Sequence, residues 1–517
     1  MDTAALQRHP LVGIAIALTI GIWMADGCSN ATIWWGGMAA TLGIATAMLL
    51  ANRWKTIQTV LLLAAVMFLG GWLMVRQQGA VRPQLPDGEQ TYTAAVMSRP
   101  ERHGKVLTCD LLVASGPLAG HMVKAAILRD TLSHRYQSIH VGDGLTVQSR
   151  FEHNSNYEGS RFDYRRWLEC HHFVARTFIY YKNWKESTVS LKKVAAVDRL
   201  RLSALLLRER LTGRYQDSGL SGEEYGVVAA MTLGDKHAVD KDTRSVFQQT
   251  GAAHVLALSG LHLSVIYFFL SMVVGRRRRV GTILVLISGI WGFAFLTGLS
   301  VSIVRAAAML TIYAAADIMQ RSRQTLNTLA LTVILLLAAN PLSLWDVGFQ
   351  LSVMAVLGIQ LYQGWLLSLV SQKRRMECRP LNWAWSMVCV SVAAQLGVAP
   401  LAAHVFGNFP TYFLLTNFVA VPLTTGILFV GALFMLFSWW GWMSGMLATL
   451  LGMLVRMLQG SLGWIATLPA STISDLQLNG IQTAACYVLI ACMTGVGYYA
   501  IRIRRAHEHS LGVPSGN

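Results

Sequence analysis

Charged residues are scarce: Asp, Glu, Lys and Arg make up 13% of the 517 residues and 54% are hydrophobic, where a soluble domain carries about 25% charged. That shortage excludes an ordinary soluble globular chain. Metal-ligand spacing is missing too. The seven cysteines are dispersed: Cys28, Cys389, Cys486 and Cys492 lie in or beside apolar runs, Cys378 in a basic loop, and Cys109 and Cys170 in the one long polar segment. No CxxC pair or ligand cluster points to zinc or another metal. No GxxxxGK[ST] stretch occurs, so P-loop nucleotide chemistry is not expected. The first apolar run, from Pro10 to about Ala25, has no small-residue cleavage pattern after it and reads as a retained span rather than a signal peptide.

Long apolar runs are abundant. They fall near 10–26, 31–50, 57–75, 253–274, 280–298, 302–318, 325–340, 346–368, 383–402, 412–437, 440–458 and 482–500, most of them near the roughly 20 helical residues that cross a hydrocarbon core of about 30 Å. Between the third and fourth lies a polar stretch, about 80 to 190, that could not sit in lipid. Short runs at 91–98, 105–113, 122–129, 144–151 and 173–181 are strand-like, separated by Ser98-Arg99-Pro100, Ser115-Gly116-Pro117 and Gly142-Asp143-Gly144. Five such strands suggest a small Greek-key barrel of the oligonucleotide-binding (OB) type. The expected fold is a polytopic α-helical membrane protein of about 12 spans with an inserted, exported OB-like β-barrel domain.

Basic loops set the expected orientation. Arg53 with Lys55, Arg276 to Arg279, Arg321 with Arg323, Lys373 to Arg375, and Arg502 with Arg504 and Arg505 should all be cytoplasmic. Strict alternation then places both termini inside and the barrel outside. An oxidising compartment would permit a Cys109–Cys170 disulfide, stabilising by about 4 kcal/mol on the chain-entropy account.

The net charge of +17 is weak evidence for nucleic acid, because membrane proteins gather Lys and Arg at cytoplasmic helix ends. Its placement says more. A single strand needs cations for its phosphates and planar groups for its bases. The polar domain offers Arg99, Arg102, Lys105, Arg161, Arg165 and Arg166, with Tyr157, Phe162, Tyr164 and Trp167 interleaved. The competing reading is that these aromatics are the barrel's own core and the arginines solvated. From about 191 to 215, apolar Leu and Val alternate with Lys192, Lys193, Arg199, Arg201, Arg208, Arg210 and Arg214, as in a helix lying on lipid headgroups or an anionic partner.

Within the apolar segments, polar residues are costly and mark a path, a site or helix–helix contacts. His254, Ser259, Gly260, His262, Arg305, Gln350, Ser352, Gln395 and Asn417 are the path candidates. Ser259 and His262 are also spaced for a serine–histidine dyad on a helix. His254 and His262 lack the i, i+4 spacing of a zinc helix.

Leu233-Gly234-Asp235-Lys236, Thr250-Gly251 through His254, and Leu258-Ser259-Gly260-Leu261-His262 resemble the ComEC/Rec2 competence family. Thr297-Gly298-Leu299-Ser300 with Val304-Arg305-Ala306, Asn340-Pro341 with Asp346 through Ser352, and Gln395-Leu396-Gly397, Pro400, Phe406-Gly407 and Asn417 through Pro422 resemble further blocks in the same order. Gly142-Asp143 and Arg161 through Leu168 are similar to the exported region of that family. The resemblance implies an inner-membrane channel that passes single-stranded transforming DNA into the cytoplasm during natural competence. It divides the chain into N-terminal transmembrane helices (1–78), a periplasmic OB-like domain (79–190), amphipathic or interfacial helices (191–250), a competence-type channel domain (251–505) and a cytoplasmic tail (506–517).

The form expected is one without the C-terminal metallo-β-lactamase-like domain of many members, since no HxHxDH cluster occurs. Neither a cofactor nor an enzymatic activity is then expected. The partners implied are single-stranded DNA, the lipid bilayer, a periplasmic DNA receptor, a cytoplasmic helicase, translocase or single-strand-binding protein, and a separate nuclease. An intramembrane hydrolase using Ser259 with His254 or His262, and a proton-coupled small-molecule transporter, remain the alternatives.

Overall fold

The computed structural model describes residues 9–28, 30–50, 55–130, 134–157, 159, 162–189, 195–275, 280–318 and 325–510. Arg53, Arg161, Lys192, Lys193, Arg276 to Arg279, Arg321 and Arg323 lie outside them, as do the side chains of Arg502, Arg504 and Arg505. The chain divides into two compact units, 1–217 with 267–349 and 218–266 with 350–517.

The first unit begins with helices α1 (Pro10–Ala25), α2 (Ala31–Leu50) and α3 (Lys55–Val81). Pro10 sits in the first turn of α1, where a missing N–H costs nothing. A Cβ on Gly21 would stand 1.8 Å from the Met67 carbonyl oxygen, so α1 and α3 meet backbone to backbone, as small residues allow in apolar surroundings.

The barrel follows: β1 (Glu89–Val96), β2 (Glu101–His103), β3 (Val106–Ser115), β4 (Met122–Leu128), β5 (Gly144–Glu152), α4 (Tyr164–Cys170), β6 (Phe173–Ile179) and β7 (Trp184–Glu186). The strands pair in the order β1-β3-β4-β6-β5, and β5 returns to β1. Five strands therefore close on themselves. Only β4 and β6 run parallel, and β2 and β7 extend the rim along β3 and β5. Closure leaves those five strands no free edge.

Alternation explains the core: Leu107, Cys109, Leu111 and Val113 of β3 point inward with Val123, Ala125 and Ile127 of β4 and Leu145 and Val147 of β5. Tyr92 is the large polar exception. Its hydroxyl bonds Ser149 at 2.9 Å, and Ser149 bonds Thr177 at 2.7 Å, so the phenol is buried without an orphaned group. Burial holds its pKa above the ordinary tyrosine range.

The expected disulfide is a correction. Cys109 and Cys170 are both buried free thiols. Cys109 lies among the barrel's inward residues, whereas Cys170 ends α4 and its thiol donates to the Leu342 carbonyl at 3.1 Å. The strand alternation that buries one, and the outward docking of the other, turn them to different surroundings. Burial, reinforced by Asp110, pushes Cys109 up to about 12, and burial with Asp346 does the same for Cys170. Each folded-state pKa is raised, so the native state keeps a proton that the unfolded chain releases above its ordinary value of about 8.5. The stability this confers is complete below that value and falls as pH climbs toward 12. At about pH 8, iodoacetamide should label neither thiol in the native protein and both after unfolding without reductant. Protection of both in the unfolded, unreduced chain would restore the bridge.

Beyond the barrel come α5 (Ala196–Asp217), α6 (Gly222–Leu233), α7 (Lys241–Gln249), α8 (Ala253–Leu256), α9 (Gly260–Val274), α10 (Val280–Leu296), α11 (Val301–Ile318), α12 (Thr325–Ala339), a 3-10 turn at Pro341–Trp345, and α13 (Val347–Leu367). The short α14 (Gln372–Glu377) leads to α15 (Arg379–Phe406), α16 (Phe413–Phe437), α17 (Gly441–Ala466) and α18 (Gly480–Ser510). Among the described residues, six helices are long and apolar enough to cross a membrane, and five further apolar helices are shorter.

In the second unit, α6 is buried residue after residue from Tyr225 to Leu233 and packs on α16 and α17. Helix α15 runs through Pro400. The strand pair β8 (Phe409–Pro410) with β9 (Thr472–Ile473) joins the loops after α15 and α17, and Thr472 Oγ1 donates to the Gln249 carbonyl at 2.6 Å. Three loops of that unit thus meet at one end.

Candidate nucleic-acid interface and buried polar sites

Helix α4 begins because Asp163 caps it, its carboxylate accepting from the Arg166 N–H at 2.9 Å. This short helix carries Tyr164, Arg165, Arg166 and Trp167, four of the basic and aromatic residues singled out in the polar domain, and the structure commits them. Arg166 pairs with Asp26, and its guanidinium lies 4.2 Å over the Trp345 ring. Arg165 Nε donates to Glu169 at 3.1 Å. Glu169 is 2% exposed and also receives both Arg82 Nε at 2.8 Å and Arg82 Nη2 at 2.7 Å. That hydrogen bond holds Arg82 above its ordinary range against the pull of burial. Gln78 donates to Asp26 at 3.1 Å, and Asn340 donates to the Cys170 carbonyl at 3.1 Å.

These contacts mount the barrel on α1, α3 and the 341–345 turn. Arg165 and Arg166 are therefore part of the mounting rather than loose cations.

The aromatics form a stack. Tyr164 and Trp167 are 5.7 Å apart and nearly parallel, Trp167 is 4.4 Å from the His171 ring, and Tyr157 is 5.0 Å from Tyr164. Phe162 is exposed, and Lys105 stands exposed at the β2–β3 turn with Arg102 nearby in β2. A residue that sequence reasoning missed completes the group. Arg176 of β6 lies 5.1 Å over Tyr157 and 5.8 Å over Tyr164, and its Nη1 donates to Ser155 Oγ at 3.3 Å. The usable signal was the period-two alternation of 173–181, which turns Arg176 outward.

Arg305 stands on the second turn of α11, 3% exposed. Its Nη2 donates to the Gly348 carbonyl at 2.7 Å, while Nε and Nη1 are buried without a hydrogen-bond partner. Asp346 caps α13 by accepting from the Phe349 N–H at 3.0 Å. A Cβ on Gly348 would press on Asp346 Oδ1 at 2.9 Å and touch Arg305 Nη2 at 3.7 Å, so the glycine lies directly beside both the carboxylate and the guanidinium. His171 Nε2 is 3.9 Å from the other Asp346 oxygen, which links the barrel's helix to the same corner.

Ser259 and His262 are brought into contact. Nδ1 of His262 accepts from the Ser259 hydroxyl at 2.9 Å and from the Ser259 backbone N–H at 3.2 Å. Reaching back to that N–H is what the third helical residue does in a capping box, here with imidazole in place of a carboxylate. With two hydrogens aimed at Nδ1, the ring's own proton is assigned to Nε2, which is buried without a partner. His254 instead bonds the Gly251 carbonyl at 2.9 Å. Gly260 opens α9 and is exposed.

Asn417 donates to Ser391 Oγ at 3.1 Å, joining α16 to α15, the commoner use of such a side chain between apolar helices. Gln350, Ser352 and Gln395 are half-buried on α13 and α15. Sequence reasoning also passed over Arg456, in the middle of α17, whose Nη1 bonds Glu224 of α6 at 2.7 Å. Among the described residues no group of three or more His, Cys, Asp or Glu could hold a metal ion.

The family described as Competence protein matches residues 231–497, just over half of the 517 residues. The chain belongs to the competence protein family. Within this competence protein the match takes in His254, Ser259, His262, Arg305 and Asn417, and leaves the barrel outside it.

ComE operon protein 3 of Bacillus subtilis is 28% identical over 274 residues, covering 52% of this chain and 32% of the relative. Recombination protein 2 of Haemophilus influenzae is 31% identical over 259 residues, 48% of this chain and 32% of the relative. An uncharacterized protein of Aquifex aeolicus is 28% identical over 229 residues, 44% and 51% of the two chains. The match spans about a third of the length of the first two relatives. No solved structure matches the competence protein.

Proposed function

We propose that this competence protein serves DNA uptake by passing a single strand through the bacterial inner membrane into the cytoplasm. The observation that carries the reading is a barrel of OB topology stapled by α4 to apolar helices in a chain of the competence family. OB barrels bind oligonucleotides, and a barrel so mounted delivers its ligand at a membrane surface. About 12 spans, with both termini cytoplasmic and the barrel periplasmic, complete the proposal. The meeting of loops 249–251, 409–412 and 469–473 at one end of the second unit supports it, because strict alternation puts all three outside.

On this reading the chain is a conduit rather than an enzyme. A periplasmic receptor hands over the DNA, a separate nuclease removes the second strand, and a cytoplasmic helicase, translocase or single-strand-binding protein draws the other inward. Arg305 lies on the strand's path, its unpartnered Nε and Nη1 nitrogens supplying donors for phosphate.

The test is transformation in a strain deleted for this chain, complemented with wild type or Arg305→Ala, while scoring DNase-protected DNA in the periplasm. The expected result is normal periplasmic uptake with cytoplasmic entry lost both in the deletion and with an equally abundant Arg305→Ala protein. Undiminished transformation in the deletion would sink the proposal.

A further inference from the structure

We infer that the outer face of β6 is a stacking platform for the bases of single-stranded nucleic acid, distinct from the α4 residues that mount the barrel. The inference rests on the reading of the chain as a DNA conduit and assigns the place where the barrel first holds the strand.

Strand alternation makes the platform. Ala175, Thr177 and Ile179 face the core, so Arg176, Phe178 and, one residue past the strand, Tyr180 face outward. Phe178 is 38% exposed and Tyr180 57%, a contiguous pair of rings in edge-to-face contact at 5.2 Å. An exposed aromatic pair on a barrel with an otherwise well-filled core is not needed for packing, and such patches mark interaction sites. Outward side chains on a strand repeat every two residues, about 6.6 Å, roughly twice the 3.4 Å rise of stacked bases. The two rings already touch each other, so a base stacks upon the open face of either ring rather than between them.

On the β4 side the neighbours leave the rings open, while on the β5 side the exposed Glu152 is in register with Arg176. In register with Phe178 on β4 is Ala126, whose methyl group covers little, and in register with Arg176 is Lys124, already held by Asp110 at 2.7 Å. At the other end of the row Arg176 is fixed over Tyr157, which is 55% exposed, and spends one N–H on Ser155 out of the five a guanidinium carries. Rings for bases followed by an anchored guanidinium for phosphate is the order a single strand requires. A protein partner would be expected to meet aliphatic and complementary charged side chains as well.

The test uses the full chain in nanodiscs and a fluorescein-labelled oligo-dT of about 16 nucleotides, the upper site size of one OB barrel, read by anisotropy at fixed salt. Replacing Phe178 and Tyr180 by Ala should weaken binding about tenfold per ring. Tyr180→Phe should change it less than about twofold because the ring remains. Arg176→Gln should lower the slope of log affinity against log salt by about one phosphate contact. With 5-bromodeoxyuridine in the oligonucleotide, photocrosslinks should map to the peptide bearing Phe178 and Tyr180.

Wild-type binding that the double substitution leaves unchanged, with crosslinks elsewhere, would overturn the platform while leaving the conduit reading intact. Unchanged oligo-dT affinity accompanied by lost transformation would give the rings to a protein partner instead. No binding by a folded wild-type chain would defeat the conduit reading and the platform together.

Discussion

Glu169→Ala is expected to destabilise the first unit by about 3 kcal/mol and to free the barrel from α3, seen as a lower unfolding midpoint and as new protease sensitivity between Arg82 and Glu89. The carboxylate is nearly sealed from water and takes three charge-assisted hydrogen bonds, two from Arg82 and one from Arg165. Removing one member of a buried ionic group costs about 3–5 kcal/mol. The lower end applies because Arg82 and Arg165 are 40% and 49% exposed and regain water when released. Glu169→Gln keeps one carbonyl oxygen for Arg82 and should lose less. Equal losses from the two substitutions would mean that shape, not charge, holds the joint.

Gly397→Val should be at least as damaging, about 3 kcal/mol or more, because the space for a side chain is occupied by backbone. A Cβ on Gly397 would stand 2.1 Å from the Met354 carbonyl oxygen, and a Cβ on Gly358 would stand 2.4 Å from that of Ala393. Helices α13 and α15 thus touch glycine to glycine, and Tyr487 of α18 donates to the Gly397 carbonyl at 2.8 Å. A valine must separate all three. Gly460→Val on α17 is the matched control, since a Cβ there meets nothing within 4 Å. If both substitutions shift the thermal midpoint alike in the same detergent, the close approach is not what the valine disturbs.

The barrel was legible because its information is local. Strands read at 91–98, 105–113, 122–129, 144–151 and 173–181 lie at 89–96, 106–115, 122–128, 144–152 and 173–179, each fixed by two-residue alternation and by turn residues between. What the side chains do was less legible. Nothing near Arg166 in sequence announces that its partner is Asp26, 140 positions away. The density of charge and aromaticity around α4 looks the same whether it awaits DNA or clamps two parts of a fold. Arg456 was overlooked for the same reason, its partner Glu224 being 232 positions distant. Ser259 and His262 could be paired from spacing alone, but the two hydrogens converging on Nδ1 could not be read without the start of α9.

The joint between α4 and the 341–345 turn also sets a schedule for synthesis. Cys170 and the Leu342 carbonyl that receives its thiol are 172 residues apart, an interval of roughly 9–34 s at cellular elongation rates. Hairpins and small barrels form far faster than that. The finished barrel must therefore wait for the ribosome's later output with Cys170 still lacking its carbonyl partner, and until Leu342 arrives that thiol is open to any oxidant on its side of the membrane.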